Sequence, residues 1–319
     1  MKLISIIIPC FNEEKNISEL YNRIKKTFEP KKFGTIDYSY EIIFVDNAST
    51  DNSITLYKEI INSDDNVQVL VMARNTGTSQ PSFLAGLKES SGDAVVMIES
   101  DLQDPPELIQ EFIKKWENGF DVVYGIRTKR KENIIRRIFY TLFYRIFKWL
   151  SYITIPLDAG DFCLMDKKVV SVITSLPEKD VYIRGLRSWA GFNQTGIEYV
   201  REKRKHGKTS ISFFRNFFWA KKAIVNFSDK PLEFISRIAI ITTLLTFFAA
   251  GYYLYIHITT TTPQGFSTLI MFMFIFGSIQ LLALGVIGEY LIRIFHEIKG
   301  RPPYIISKKI TAKTKENND

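Results

Sequence analysis

Two hydrophobic rhythms alternate along the first part of the chain. Short apolar runs fall at Leu3 to Ile8, Glu41 to Val45, Val67 to Met72, Ala94 to Ile98 and Val122 to Tyr124. Between them lie longer stretches with apolar residues every three or four positions: Glu13 to Phe28, Ser53 to Asn62, Ser82 to Ser90 and Pro106 to Trp116. The first rhythm reads as buried strands and the second as amphipathic helices. Asp104, Pro105 and Pro106 mark the start of the last helix, with Asp104 as a possible N-cap. The opening run follows Lys2 and imitates a secretory leader, yet Pro9, Glu13 and Glu14 end it early and no small-residue cleavage site follows, so it reads as a strand. Strands alternating with helices predict an α/β domain with a mostly parallel sheet covered on both faces. In such sheets ligands sit beyond the carboxyl ends of the strands.

The rhythm changes further on. Ile238 to Ile258 and Phe266 to Ile287 contain no Asp, Glu, Lys or Arg, and each is long enough to cross a hydrocarbon layer of ~30 Å as a helix. Buried helices of a soluble core seldom stay charge-free over that length. Lys221, Lys222, Lys230 and Arg237 precede the first span, Arg293, Lys299 and Arg301 follow the second, and the linker HITTTTPQG has no Lys or Arg. The positive-inside rule then puts both termini on the cytoplasmic side of an inner membrane, in a multi-pass protein. The expected division is a catalytic domain over 1–210, an interfacial amphipathic segment over 211–231, a transmembrane hairpin over 232–300 and a cytoplasmic tail over 301–319. Thr311 to Asp319 is polar and expected to lack structure.

Composition narrows the chemistry. A chain of 319 residues that is 46% hydrophobic and 24% charged is neither a disordered tail nor a small disulfide scaffold. Its two cysteines, Cys10 and Cys163, suit a reducing compartment, and His206, His257 and His296 lack zinc-ligand spacing. A net charge of +8 calls for a polyanionic partner: nucleic acid, anionic lipid or a phosphorylated substrate. Arg127, Lys129, Arg130 and Lys131 lead into IIRRIFYTLFYRIFKWL, and SISFFRNFFWAKKAIVNF follows a basic loop that contains Arg201 and Arg204. Aromatics mixed with Lys and Arg at helical spacing suit a membrane interface, and no nucleic-acid motif accompanies them.

The strand ends read PCFNEE, VDNASTD, ARNTG and ESDLQDPPE. They bring carboxylates, amides and a glycine to one rim. No G-x-G-x-x-G follows the first strand and no phosphate-binding G-x-x-x-x-G-K-[ST] occurs, which removes the best support for dinucleotide redox chemistry and for P-loop phosphoryl transfer. An acidic rim can hold a phosphate-bearing ligand through a divalent cation. Glu99, Asp101 and Gln103 alternate at the end of an extended run, so their side chains are expected on one face, as metal ligands.

These motifs, in this order, resemble glycosyltransferase family 2 with a GT-A fold, and within it the membrane-anchored polyprenyl-phosphate glycosyltransferases related to dolichol-phosphate mannose synthase. GDF at Gly160 to Phe162, RGLRSWAGFNQ from Arg184, REKRKHGKTS from Arg201, NFSDKPL from Asn226 and GEYLIRIFHEIKGRPPY from Gly288 extend the likeness over almost the whole chain. The resemblance implies inverting transfer of one sugar, glucose-like and UDP-linked, from a nucleotide to undecaprenyl phosphate, in a homo-oligomer without a nucleic-acid partner. By position, Pro9, Asn12, Glu14, Asp46, Asn75 and Gly77 would line the nucleotide sugar. Asp101 and Gln103, with Glu99 beside them, would hold Mg²⁺ or Mn²⁺ on the diphosphate. Asp161 matches a proposed catalytic base. A phosphate monoester is already largely dianionic at neutral pH, so Asp161 can equally orient a substrate. Arg127, Arg184, Arg201 and Arg204 are the candidates for the acceptor phosphate. The chain departs from its relatives at Glu99, where Asp is common, at Cys163, where Arg is common, at Thr78 to Pro81 and at Ser210 and Ile211. Two alternatives remain: a processive polysaccharide synthase, against which stand the single hairpin and the absence of Q-x-x-R-W, and an inactive membrane scaffold.

Overall fold

The computed structural model describes residues 1–29, 32–33, 36–128, 156, 159–202, 228, 230–259 and 265–312. The chain forms two compact units, one containing the sheet and the other two long C-terminal helices. In the first unit, β1 (Lys2–Cys10) is buried along seven consecutive residues, because helices cover both of its faces. It pairs in parallel with β3 (Ile36–Asp46) and β5 (Ala94–Met97), and β3 pairs in parallel with β4 (Val67–Met72). The sheet runs β8-β6-β7-β5-β1-β3-β4-β9, and the two-residue β2 (Lys32–Phe33) pairs with β3. On one face, Ile4, Ile6 and Ile8 pack with Ile17 and Leu20 of α1 (Glu14–Phe28), Tyr57 of α2 (Ser53–Ser63) and Phe112 of α4 (Ile109–Glu117). On the other face, Ile7 lies directly beneath Gly86 of α3 (Gln80–Glu89), where a Cβ would fall 2.3 Å from the Ile7 side chain.

The mostly parallel α/β sheet expected from the pattern is present, and each predicted strand lies on an observed one. Besides the short β2, two strands run against it. β7 (Ala159–Asp166) is antiparallel to β5 and to β6 (Val122–Thr128), which brings its amino end to the rim formed by their carboxyl ends. β8 (Gln194–Val200) is parallel to β6 and ends at that same rim. Between them lie α5 (Lys167–Ser175), capped by the Asp166 carboxylate on Lys168 N, and α6 (Ile183–Trp189). The segment over 301–319, expected as a tail, contains β9 (Ile306–Ile310), an edge strand antiparallel to β4. Its two consecutive lysines hid it from a hydrophobicity reading, as charged edge strands do. Lys309 Nζ sits 2.6 Å from Glu89.

In the second unit α7 (Lys230–Thr259) and α8 (Phe266–Ile298) contain the two predicted spans. Both are long and apolar enough to cross a membrane, over Lys230–Ala249 and Ile275–Ile298, and neither stretch is buried within the protein. Phe247 is 76% exposed and Leu281 72%, large apolar surfaces that a water-facing helix rarely carries. Tyr290 donates its hydroxyl hydrogen bond to the Ser228 carbonyl at 2.7 Å. The interfacial stretches after Thr128 and after Arg201, with Arg204 and the Thr-rich turn, lie outside the described residues.

Candidate active site

The rim has two halves of different construction. In the first, the ends of β1, β3 and β4 are stitched by side chains bonded to backbone. Asn12, in the left-handed region at φ 55°, accepts from Thr50 N at 2.8 Å, while its own N–H donates to Ser49 Oγ at 3.0 Å. Glu14 accepts from Asn52 N at 3.1 Å and gives its N–H to Asp51. Asp46 closes β3, fully buried; one carboxylate oxygen accepts from Ser49 N at 2.9 Å and the other has no hydrogen-bond partner among the described residues. Burial pushes its pKa above the usual carboxylate value, against the opposing pull of Ser49. Asn47 carries the stitching to β4: its Oδ1 accepts from Thr76 N at 3.0 Å, and its Nδ2 reaches Asn75 at 3.4 Å. Asn75 accepts from Gly77 N at 2.6 Å, and Gly77, at φ 78°, has open space where a Cβ would stand. Pro9 is buried opposite Val45.

The acidic strand end departs from expectation. β5 stops at Met97 and Leu102 takes a left-handed φ of 58°, so the alternation that would place Glu99, Asp101 and Gln103 on one face does not continue. Their side chains diverge. Glu99 accepts from Ser79 Oγ at 2.8 Å, Asp101 faces Arg201 at 3.6 Å, and Gln103 donates to the Glu202 carbonyl at 3.1 Å. Among the described residues no group of three or more His, Cys, Asp or Glu is placed to hold a metal. Asp101 keeps a half-buried carboxylate at the rim, which suits a cation shared with substrate phosphates rather than one caged by protein. Asp104 is not a helix cap: the residue before the single 3-10 turn (Pro106–Leu108) is Pro105. Asp104 is instead fully buried, accepts from the Tyr199 hydroxyl, and pairs with Arg201 at 3.3 Å and Arg127 at 3.6 Å.

The second half gathers charge around Asp161. Arg184 of α6 reaches its carboxylate at 3.0 Å. Burial would raise the Asp161 pKa, but Arg184, Arg187 and Arg127 together hold it below the usual value. Arg127 also donates to Tyr199 at 3.2 Å and lies against Gly160, where a Cβ would fall 2.7 Å from its Nη2 and push the guanidinium aside. Glu99 faces the same cluster, and burial, followed by the charges of Asp161, Asp101 and Asp104, pushes its pKa up to about 8. The structure therefore brings Asp161, Arg127, Arg184 and Arg201 into one rim with Glu99 and Asp101. Arg204 lies outside the described residues.

Sequence reasoning missed Asn47, Ser79, Asp104 as an ion-pair centre, Arg187 and Tyr199. Asn47 stands inside VDNASTD and Arg187 inside RGLRSWAGFNQ, where they could have been found. Tyr199 becomes visible only through the register that sets it opposite Arg127.

A family model described as Glycosyl transferase family 2 matches residues 5–174. The "Uncharacterized glycosyltransferase YkcC" of Bacillus subtilis (strain 168) is 42% identical over 306 residues, 95% of this chain and 93% of its own length. The "Bactoprenol glucosyl transferase" of Shigella phage SfII is 34% identical over 307 residues, 96% of this chain and 97% of its own. The "Uncharacterized glycosyltransferase sll0501" of Synechocystis is 36% identical over 306 residues, 95% of this chain and 94% of its own.

Proposed function

We propose, from the premise that this chain belongs to glycosyl transferase family 2 and is a glycosyltransferase, that it transfers a glucose-like sugar from a uridine nucleotide to undecaprenyl phosphate. The observation that carries the reading is the Asp161 carboxylate held by Arg184 at 3.0 Å within a cluster of arginines at an otherwise acidic rim. Similarity over nearly the full length, at 34% identity, to a protein named bactoprenol glucosyl transferase supports the same acceptor.

In this reading the stitched half holds the nucleotide. The unpartnered oxygen of Asp46 accepts a hydrogen bond from the base or ribose, and the loops of Asn12, Glu14, Asn75 and Gly77 border it. A divalent cation, Mg²⁺ or Mn²⁺, would be held by Asp101 together with donor phosphates, where it would stabilise charge on the departing diphosphate. Arg127, Arg184 and Arg201, with Arg204, bind the acceptor phosphate. An acceptor phosphate oxygen forms the new bond to the anomeric carbon as the bond to the nucleoside diphosphate breaks, a single displacement that inverts configuration. The acceptor oxygen is already ionised, so Asp161 orients rather than deprotonates it. α7 and α8 span the inner membrane as a hairpin with both chain termini in the cytoplasm, the side on which nucleotide sugars and flanking Lys and Arg belong. The chain acts as a homo-oligomer.

The test is incubation of membranes carrying the full chain with labelled nucleotide sugars and undecaprenyl phosphate. A lipid bearing one sugar supports the reading. A long polymer points to a processive synthase, and no transfer points to a scaffold; either overturns it.

A further inference from the structure

Four arginines and three aspartates meet at the rim, and among the described residues one arginine, Arg187, forms no salt bridge. Arg201 covers Asp101 and Asp104, Arg127 shares Asp104, and Arg184 takes Asp161. Arg187, three residues after Arg184 on α6, is 1% exposed. Its Nη1 makes one long hydrogen bond, 3.5 Å, to the Gly160 carbonyl, while Nε and Nη2 have no hydrogen-bond partner among the protein's described groups. The guanidinium carbon stands 5.2 Å from the centre of the Tyr124 ring, and the group is within hydrogen-bonding influence of the buried Cys163 thiol. The Arg187 carbonyl accepts from Gln194 at 2.9 Å, which fixes the helix turn that carries it. A buried guanidinium with so few partners is costly, and a hydrophobic side chain would satisfy the packing better. Its retention calls for a use of the charge.

We infer that Arg187 is a positioning residue for the phosphate acceptor: a buried positive charge behind the Gly160–Asp161 strand end that makes this half of the rim selective for a phosphate monoester over a neutral hydroxyl. The inference rests on the proposed lipid-phosphate acceptor. Arg187 is too deep to touch a substrate. It acts through the Gly160 carbonyl and adds positive field behind the Asp161–Arg184 ion pair. The acceptor's charge is thus balanced from below as well as from the rim. The geometry also gives meaning to the departure at position 163: the cation missing from β7 arrives beside Cys163 from α6.

Arg187→Met keeps most of the volume and removes the charge, whereas Arg187→Lys keeps the charge. In the full chain, Arg187→Met is expected to raise the KM for undecaprenyl phosphate roughly ten-fold, with nucleotide-sugar affinity by calorimetry unchanged, and Arg187→Lys is expected to recover most of that loss. If Met does not fold, Arg187→Gln takes its place. Equal KM changes in the Lys and neutral variants, following their loss of thermal stability, would reduce Arg187 to packing and overturn the inference. A fall in donor affinity with acceptor KM unchanged would assign the charge to the donor diphosphate and overturn it as well. Absence of any sugar-lipid product from the unaltered chain defeats the underlying function itself, whatever the variants do.

Discussion

The two halves of the rim hold their polar groups by opposite means. Around Asp46, side chains bond to backbone N–H groups of neighbouring loops, Asn12 to Thr50, Glu14 to Asn52 and Asn47 to Thr76. Around Asp161, charged side chains meet each other, and residues 99, 101, 104, 127, 161, 184, 187 and 201 converge from the loops after β5 and β8 and from β6, β7 and α6. The first construction fixes loop shape and suits recognition of a neutral base and ribose. The second stores charge in a half-buried place where water screens it poorly, which suits an anion that must be drawn in and aligned. The contrast predicts separable defects: donor affinity on one side, acceptor use on the other.

The largest effect is expected at the seam between the halves. Asp101→Ala should lower transfer by about 100-fold or more, the scale of losing a charge-stabilising group at a reacting centre, and should leave the fold intact, since the side chain is half-buried at the rim; near-normal turnover would detach Asp101 from the diphosphate. Next, Arg184→Ala should raise acceptor KM and destabilise the protein by about 1.5–3 kcal/mol, because Asp161 loses a hydrogen bond to a charged partner; calorimetric donor affinity should stay constant. A collapse of donor affinity in this variant would erase the distinction between the halves.

Smaller and opposite in character, Asn47→Ala should weaken nucleotide binding by several-fold and cost about 1 kcal/mol for each hydrogen bond lost, with acceptor KM unaffected. The last effect concerns pH. Glu99 in the folded protein holds its proton up to about 8, against 4.5 for the free side chain. The native state therefore binds more protons than the unfolded chain across that window, so stability falls as pH rises from 4.5 to about 8. Glu99→Gln should flatten the slope of thermal stability over that range when metal and nucleotide are left out; an unchanged slope would remove Glu99 as its source.

The same contrast explains what could be read from sequence. Val67–Met72 was legible to the residue, and the loops that carry Asp46, Asn12 and Asn75 were legible as strand ends because each closes or follows an apolar run by a few residues. Local pattern determines such loops. The charged half was legible only as separate residues. Asp161 reaches the rim because β7 runs antiparallel, Tyr199 meets Arg127 through strand register, and Arg187 is placed by a helix one turn beyond Arg184; none of these follows from periodicity. The alternation argument at Glu99 failed because it assumed an extended chain beyond Met97, where a left-handed Leu102 redirects it. Departures from the family pattern also became intelligible in contact: Ser79 donates to Glu99, and Arg187 stands beside Cys163. β9 escaped notice because an edge strand can be short and charged.

The central claim is that the arginine-lined half selects a phosphate-terminated lipid. It is tested most directly by comparing transfer, from one labelled nucleotide sugar, to undecaprenyl phosphate and to undecaprenol, in the unaltered chain and in Arg184→Ala. The account predicts a single-sugar product with the phosphate alone, no detectable product with the alcohol, and loss of that preference in the variant. Equal transfer to both lipids by the unaltered chain would contradict it.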